Sequence, residues 1–163
     1  MAHSSARPAR VAVITCSDTR TEADDTSGAL CAELATAAGH EIVWRSIVRD
    51  EPAALRAAID SARTNARPDA FLINGGTGLA PRDTTVEAVE GLLTRRLDGF
   101  GELFRMLSFA EIGAKAMASR ALAGAIDSTL VFLMPGSTKA VRLAMEKLIA
   151  PELGHLVGEL RKL

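Results

Sequence analysis

The sequence predicts an α/β fold of three layers, in which helices cover both faces of a mostly parallel sheet that includes a short hairpin. Apolar segments of strand length alternate with helical patterns along the 163 residues. The segments at 11–14 and 71–73 are continuous apolar runs, which are typical of strands buried on both faces of a parallel sheet. A glycine-rich loop follows the second run at once, where open α/β sheets place ligands.

Composition and charge limit the classes of protein. With 48% hydrophobic and 24% charged residues, the chain suits one domain over residues 10–163, behind a flexible tail at 1–9. The net charge of −1 and the 4% of aromatic residues disfavour nucleic acid as a partner. No apolar run approaches the ~18 residues of a membrane span, and the opening residues lack the apolar core of an export signal. Two cysteines are too few for a disulfide scaffold, so we expect a cytoplasmic protein.

Apolar periodicity places the individual elements. In order, these are strand 10–16, helix 26–38, strand 41–48, helix 51–64, strand 71–73, helix 84–97, a further helix after a break at 99–101, strands 122–126 and 130–134, and helices that begin near 137 and 152. Leu103, Met106, Leu107 and Ala110 are expected on the buried face of the helix after the break. The segment 110–120 has too weak a pattern to be placed.

Turn and cap residues mark several of these boundaries. Gly39 ends the first helix, for which Asp24, Asp25 and Ser27 are candidate N-terminal caps. Thr84 and Glu87 have the spacing of a capping box, so a helix should open directly after the glycine loop.

The glycine loop is the first candidate binding site. Gly75, Gly76 and Gly78 allow several backbone N–H groups to converge on an anion, and the following helix start adds partial positive charge. A dinucleotide fingerprint would need a glycine where Pro81 stands, and no glycine is followed by lysine as in a Walker A loop. A phosphate-bearing ligand fits this loop. The alternative is a tight turn with its polar side chains in water.

Two aspartates follow different strands of the predicted sheet. Asp50 ends the second strand, and Asp83 lies at the mouth of the glycine loop. If the strand ends are adjacent, the two carboxylates share one cleft and are suited to hold Mg²⁺ against phosphate oxygens. The alternative for Asp50 is an ordinary helix cap. Ser17 and Asp18 end the first strand at the same edge, where the alternative is simple turn chemistry.

The pattern of a strand, a glycine turn and a helix start recurs after the strand at 130–134. Its turn contains Pro135, Gly136 and Ser137. Lys139 falls in the first turn of that helix, where a cation opposes the helix dipole, so it suggests an anion nearby. The alternative is a solvated lysine.

These segments together resemble the MoaB/MogA family of molybdenum cofactor biosynthesis, with the closest likeness to its MoaB branch. The resemblance covers residues 10 to about 156. The matching segments are the glycine loop, Ser-Asp-Thr-Arg at 17–20, Asp-Asp-Thr-Ser-Gly at 24–28, Ile-Val-Arg-Asp-Glu at 47–51, Gly-Phe-Gly-Glu at 99–102 and Met-Pro-Gly-Ser-Thr-Lys-Ala at 134–140. The chain departs from the family at Thr138, usually proline, and at Asn74, usually threonine or serine.

The resemblance implies a Rossmann-like, MogA-type fold and the adenylylation of molybdopterin by ATP with Mg²⁺, releasing pyrophosphate. In the family, the aspartates that match Asp50 and Asp83 are regarded as necessary for adenylyl transfer. Arg82 or Lys139 would offset the negative charge that builds on the phosphate groups. The expected substrate-binding residues are Ser17, Asp18, Ser27, Gly28, Gly75, Gly76, Thr77, Gly78, Arg82, Pro135, Gly136, Ser137 and Lys139.

A non-catalytic molybdopterin-binding or scaffold protein is the alternative that this resemblance leaves open. Some proteins of the MoaB branch are thought not to adenylylate, but this chain keeps both Asp50 and Asp83. The family further implies a homotrimer or homohexamer, with other proteins of the pathway as potential partners. Segment 98–119 is a candidate for covering the ligand or for a subunit contact.

Overall fold

The computed structural model of the protein describes residues 7–163 and contains one six-stranded sheet. The strands are β1 (Arg10–Cys16), β2 (Glu41–Val48), β3 (Ala70–Asn74), β4 (Arg95–Arg96), β5 (Leu122–Ile126) and β6 (Thr129–Met134), in the spatial order β2-β1-β3-β6-β5-β4. The first three strands and β6 are parallel, whereas β5 runs antiparallel to both β6 and β4. Most of the predicted tail lies outside the described residues, and Ala9 is already buried.

Helices cover both faces of this sheet, which confirms the predicted three layers. The helices are α1 (Thr26–Ala37), α2 (Pro52–Asn65), α3 (Thr85–Glu90), α4 (Asp98–Ile112), α5 (Thr138–Ala144) and α6 (Ala150–Leu160). Alternate side chains of each strand enter opposite cores. Val13 and Leu72 pack in the core under α1, α4, α5 and α6. Ile14 and Ile73 pack in the core under α2 and α3.

The order of the strands brings four loops to one edge of the sheet. From β1 the chain forms β2 on one side and then returns to form β3 on the other side. This reversal opens a crevice at the carboxyl ends of β1 and β3, which is the usual ligand site of such sheets. The loops that begin at Ser17, Arg49, Gly75 and Pro135 all start at this edge.

The helix after the glycine loop is shorter than predicted. It ends at Glu90 and not near 97, because Gly91 caps it and the chain then turns to pair Arg95 and Arg96 with β5. Thr84 is the N-cap, as expected, but its side chain makes no capping hydrogen bond. The predicted capping box is therefore wrong, and the Glu87 carboxylate pairs with Arg120 instead.

The predicted break at 99–101 is also wrong, because α4 runs through these residues. A Cβ on Gly101 would lie 2.7 Å from the carbonyl oxygen of Ala121, so this glycine serves close packing of the helix against the chain entering β5. Phe100 and Phe104 fill the core. Leu103, Met106 and Ala110, which were expected to be buried, are exposed.

The remaining elements largely follow the predictions. The unplaced segment forms the end of α4 and a 3-10 helix at Gly113–Ala118. The predicted hairpin is present, with Asp127 in its turn at φ 53°. Ser137 caps α5, as predicted, and a π-helical turn at Met145–Ile149 joins that helix to α6. Within residues 7–163, none of the helices is long and apolar enough to cross a membrane.

Candidate functional site

The glycine loop lies where three strand ends meet. Gly75 and Gly76 have φ values of 95° and 69°, which other residues rarely adopt. A Cβ on Gly75 would lie 2.3 Å from the carbonyl oxygen of Cys16, and a Cβ on Gly136 would lie 3.2 Å from the Cα of Gly75. The backbones after β1, β3 and β6 are therefore in contact, and glycine is required at their junction.

An acidic cluster stands beside this junction. The carboxylate of Asp50 accepts a hydrogen bond from the Asp18 backbone at 3.1 Å, and that of Asp18 accepts one from the Asp50 backbone at 3.0 Å. Arg82 donates to both carboxylate oxygens of Asp18, at 2.7 and 2.8 Å. The N-cap of α2 is Glu51, which makes no side-chain capping bond, so the alternative of Asp50 as a simple cap is wrong.

The two carboxyl groups respond oppositely to this environment. Burial raises the pKa of Asp50 above its usual range, and the neighbouring charges of Asp18 and Asp83 raise it further. The hydrogen bonds from Arg82, followed by the one from the Asp50 backbone, lower the pKa of Asp18. Of these two carboxyl groups, Asp50 is therefore the one whose negative charge the protein compensates less.

Both predicted catalytic aspartates lie against the glycine loop. A Cβ on Gly76 would lie 3.4 Å from Oδ1 of Asp50, and a Cβ on Gly78 would lie 2.8 Å from Oδ2 of Asp83. The second of these oxygens accepts a hydrogen bond from the Ala80 backbone at 3.0 Å. The structure therefore brings together the residues that the sequence placed at the ends of two different strands.

The donor atoms of this cluster are suited to Mg²⁺. Oδ1 of Asp50 and Oδ1 of Asp83 accept no hydrogen bond from residues 7–163, which leaves one oxygen of each carboxylate for a cation. Magnesium in nucleotide sites is commonly held by one or two carboxylates together with substrate phosphates. Among the described residues there is no group of three metal-ligating side chains, so substrate oxygens and water would have to complete the shell.

A second group of predicted residues meets at the start of α5. The Ser27 hydroxyl donates to the carbonyl oxygen of Gly136 at 2.5 Å, and Arg20 donates to the Ser27 hydroxyl at 3.0 Å. Arg20 also donates to the same Gly136 carbonyl, at 3.3 Å. This cluster ties the loop after β1, the start of α1 and the loop after β6 together.

A buried hydrogen-bonded chain lies behind that cluster. The fully buried Asp25 caps α1 by accepting from the Gly28 backbone at 3.0 Å, and the Thr15 hydroxyl donates to its carboxylate at 2.9 Å. Asn74 donates to the Thr15 hydroxyl at 3.0 Å. A Cβ on Gly28 would lie 2.1 Å from Oδ2 of Asp25, so this glycine is needed for packing.

Several other predicted binding residues are engaged by their own loops. The Ser17 hydroxyl accepts from the backbones of Thr19 and Arg20, which makes it part of a turn. The Ser137 hydroxyl accepts from the Ala140 backbone as the cap of α5. Thr77 is buried, Pro135 and Gly136 are half-buried, and Lys139 is exposed with no hydrogen bond or ion pair to residues 7–163.

Arg120 is a site residue that the sequence analysis missed. Its backbone donates to the carbonyl of Thr77 at 2.9 Å, and its guanidinium donates to the carbonyls of Gly78 at 2.9 Å and Asp83 at 2.8 Å. The same guanidinium pairs with Glu87. Arg120 thereby holds the glycine loop and the backbone of Asp83 in place. Its segment has no sequence pattern, so only the folded structure reveals this role.

The fold and the loops at the carboxyl edge of the sheet define a small α/β protein, and comparison with known proteins gives its class. The sequence profile described as "Probable molybdopterin binding domain" matches residues 12–155. Molybdenum cofactor biosynthesis protein B of Bacillus subtilis (strain 168) is 52% identical over 154 residues, covering 94% of this chain and 91% of that protein. The chain belongs to the MoaB/MogA family, as its sequence motifs predict.

Two solved structures support the same assignment. A crystal structure of a molybdenum cofactor biosynthesis protein B superposes with a TM-score of 0.91 at 49% identity, covering 95% of this chain and 97% of the other. The tungsten cofactor synthesizing protein MoaB from Pyrococcus furiosus superposes with a TM-score of 0.88 at 33% identity, covering 96% and 99% of the two chains. The predicted MogA-type fold is confirmed.

The opposite pKa directions predict opposite effects of two substitutions on stability. Asp50→Asn should raise the free energy of unfolding at about pH 7, because a carboxyl group with a raised pKa in the folded protein costs stability once it ionises. The gain should vanish as the pH falls below the ordinary pKa of aspartate. Asp18→Asn should lower the free energy of unfolding at about pH 7, and this loss should vanish as the pH falls through the depressed pKa of Asp18. Urea unfolding of both variants from about pH 7 to about pH 3 measures this, and two changes of the same sign would contradict it.

Removing the guanidinium of Arg120 should loosen the glycine loop. Arg120→Gln should lower the free energy of unfolding by about 1–2 kcal/mol, because the carbonyls of Gly78 and Asp83 and the carboxylate of Glu87 lose the guanidinium that donates to them. Arg142→Gln is the matched control, since Arg142 pairs with Glu146 one turn along an exposed helix and should contribute about 0.5 kcal/mol or less. Equal losses in urea unfolding would show that Arg120 does not hold the loop.

Proposed function

We propose that the protein acts in molybdenum cofactor biosynthesis by transferring AMP from ATP to the terminal phosphate of molybdopterin, with release of pyrophosphate. The observation that carries this proposal is the approach of Asp50 and Asp83 to one glycine loop at the carboxyl edge of the sheet. The family's sequence profile is described by molybdopterin binding, and the Bacillus subtilis relative is named for molybdenum cofactor biosynthesis, which supports the same substrate and pathway.

Each residue of the proposed site has a role that follows from charge and position. In the reaction the pterin phosphate attacks the α-phosphorus of ATP, and negative charge grows on the phosphoryl oxygens and on the leaving pyrophosphate. Mg²⁺, when bound by Asp50 and Asp83, would offset that charge. The Gly75 N–H already donates to the Met134 carbonyl at 3.0 Å, so the backbone N–H groups of Gly76 and Gly78 would orient phosphate oxygens. Arg120 keeps that backbone fixed.

The two basic residues that were expected to offset charge differ in their availability. Arg82 is bonded through two of its nitrogens to Asp18, so its first effect is to fix that carboxylate beside Asp50. Lys139 is exposed near the start of α5, where its ammonium group can meet an incoming phosphate. We therefore assign substrate contact to Lys139 and the positioning of Asp18 to Arg82.

One observation favours the non-catalytic alternative, a molybdopterin-binding or scaffold protein of the same pathway. The depression beside Asp50 that Cys16, Thr84 and Thr85 line is too shallow to enclose a water molecule. A substrate would have to lie over this surface and not inside it, or the loops would have to move. Room for a ligand exists next to it, in an open groove that ends at Arg49.

The assay that tests the enzyme is pyrophosphate release from purified protein with molybdopterin, ATP and Mg²⁺. Asp83→Asn should reduce turnover by about 100-fold or more, because the site loses charge that would hold the cation, while pterin binding is retained. Asp127→Asn is the control, since this exposed carboxylate lies in the β5–β6 turn and pairs with Arg63. Pterin binding without pyrophosphate from the unaltered protein would establish the scaffold instead.

We also propose that the protein forms a homotrimer or homohexamer in the cytoplasm, where other proteins of the pathway are available as partners. The support is α4, which is apolar on both its buried and its exposed sides. Met106 and Phe109 are 60% and 62% exposed, and Leu103, Ile112 and Met117 are exposed nearby. A second copy of the chain would cover this surface.

Sedimentation tests self-association directly. Phe109→Asp should shift the protein towards the mass of a single chain, because a charge in an apolar subunit contact must be desolvated. Glu33→Lys, an equally exposed change of charge on α1, should leave the mass unchanged. A single-chain mass for the unaltered protein, or an unaffected mass for Phe109→Asp, would contradict this surface as the contact.

A further inference from the structure

An open groove lies along the free edge of β2, apart from the two carboxylates of the proposed reaction. Its volume is about 700 Å³, which falls within the range of small-molecule sites. Strand β2 is the last strand on its side of the sheet and pairs only with β1. The residues that line the groove are Arg20, Thr21, Glu22, Arg45, Ser46, Ile47, Val48 and Arg49.

Positive charge is in excess in this groove. Three of its lining residues are arginines, and Glu22 is the one acidic residue among them. The buried Asp25 behind the groove lies 3.4 Å from Arg45 and 4.0 Å from Arg20, so two arginines share one carboxylate. Arg49 makes no side-chain hydrogen bond or ion pair with residues 7–163. The N–H donors of at least one guanidinium in the groove are therefore not used by the described residues.

Arg20 and Arg45 are positioned by the buried Asp25 carboxylate, and Arg45 keeps N–H donors that are not used by the described residues. Arg45 donates to the backbone and side chain of Asp25 through Nη2 alone, so Nε and Nη1 are free of protein partners in the described structure. The side chains of Arg20 and Arg45 are 33% and 39% exposed. A guanidinium that is already ordered loses less conformational entropy when it binds an anion.

The chemistry of the groove selects among anions. Guanidinium groups bind phosphate through paired N–H donors, and the hydroxyl of Ser46 can add a single hydrogen bond. The Thr21 hydroxyl already donates to the Asp24 carboxylate at 3.4 Å. None of the lining residues is aromatic, so the groove offers no aromatic ring on which a nucleobase could stack. The groove thus matches the phosphate part of a ligand better than a nucleic-acid strand.

We propose that this groove binds the phosphate groups of a small molecule, either a phosphate monoester or a polyphosphate chain, without a metal ion. Arg45 and Arg49 are its principal contacts. The groove ends at Arg49, directly before Asp50, so a ligand bound there extends towards the acidic cluster. The proposal adds to the function described above and depends on none of its steps.

The protein contains its own reporter for this binding. Trp44 is the single tryptophan, and its Nε1 donates to the Ser46 hydroxyl in the groove at 3.2 Å. A phosphate that contacts Ser46 competes for this hydrogen bond and should change the fluorescence of Trp44. The probe is inorganic tripolyphosphate, titrated in the presence of EDTA so that divalent cations are absent.

Tripolyphosphate should bind saturably and more weakly as salt is added. Arg49→Gln and Arg45→Gln should each weaken binding by about tenfold or more, the loss expected when one hydrogen-bonded charge is removed. Arg63→Gln is the matched control, because Arg63 pairs with Asp127 in the β5–β6 turn, and it should leave the affinity unchanged. Asp83→Asn should also bind normally, which separates this site from the proposed reaction.

Three results would overturn the proposal. The first is unchanged affinity in Arg49→Gln, whose guanidinium has no structural partner and whose folding is checked by urea unfolding. The second is binding that requires Mg²⁺ and disappears in Asp50→Asn, which would place the polyphosphate at the acidic cluster. The third is a change in sedimenting mass on titration that accounts for the signal, which would make the groove a contact between copies of the chain.

Discussion

The backbones that leave three parallel strands meet at Gly75 with no room for a side chain, and the rest of the site depends on this contact. The approach of the Cys16 carbonyl and of Gly136 fixes where the loops after β1 and β6 begin. The left-handed backbone of Gly75 and Gly76 then directs the chain towards Asp50 and Asp83. A side chain at Gly75 would separate the strand ends, and both carboxylates would lose their common neighbour.

Charge is divided between two sides of this junction. On the side of α2 and α3, Asp18, Arg82 and Asp83 lie close to Asp50, whose pKa is raised. On the side of α1, arginines surround the single buried carboxylate of Asp25. Arg49 lies at the boundary, since it borders both the depression beside Asp50 and the open groove. As proposed above, the acidic half would hold a cation and the basic half the phosphate groups of a ligand.

Local sequence signals were sufficient for the parts of the fold that local interactions determine. Continuous apolar runs gave the buried strands, and the glycine loop was recognisable because its residues are adjacent in the chain. The same signals could not separate two roles for Asp50, since an aspartate before Glu51 and Pro52 suits a helix cap as well as a crevice. Arg120 was missed because it contacts Gly78 across 42 positions of sequence. The end of α3 was misplaced because the pairing of Arg95 and Arg96 with β5 is also non-local.

The buried chain from Asn74 through Thr15 to Asp25 has a fixed direction. An ionised carboxylate can only accept, so the threonine hydroxyl must point its hydrogen at Asp25 and must receive one from the amide nitrogen of Asn74. The amide oxygen of Asn74 consequently faces away, and within residues 7–163 it has no donor. The negative charge of Asp25 under α1 therefore determines which atom is the donor in each hydrogen bond of this chain. As a consequence, the amide oxygen of Asn74, the last residue before the glycine loop, has no hydrogen-bond donor among the described residues. A threonine or serine at this position would have no such second polar atom.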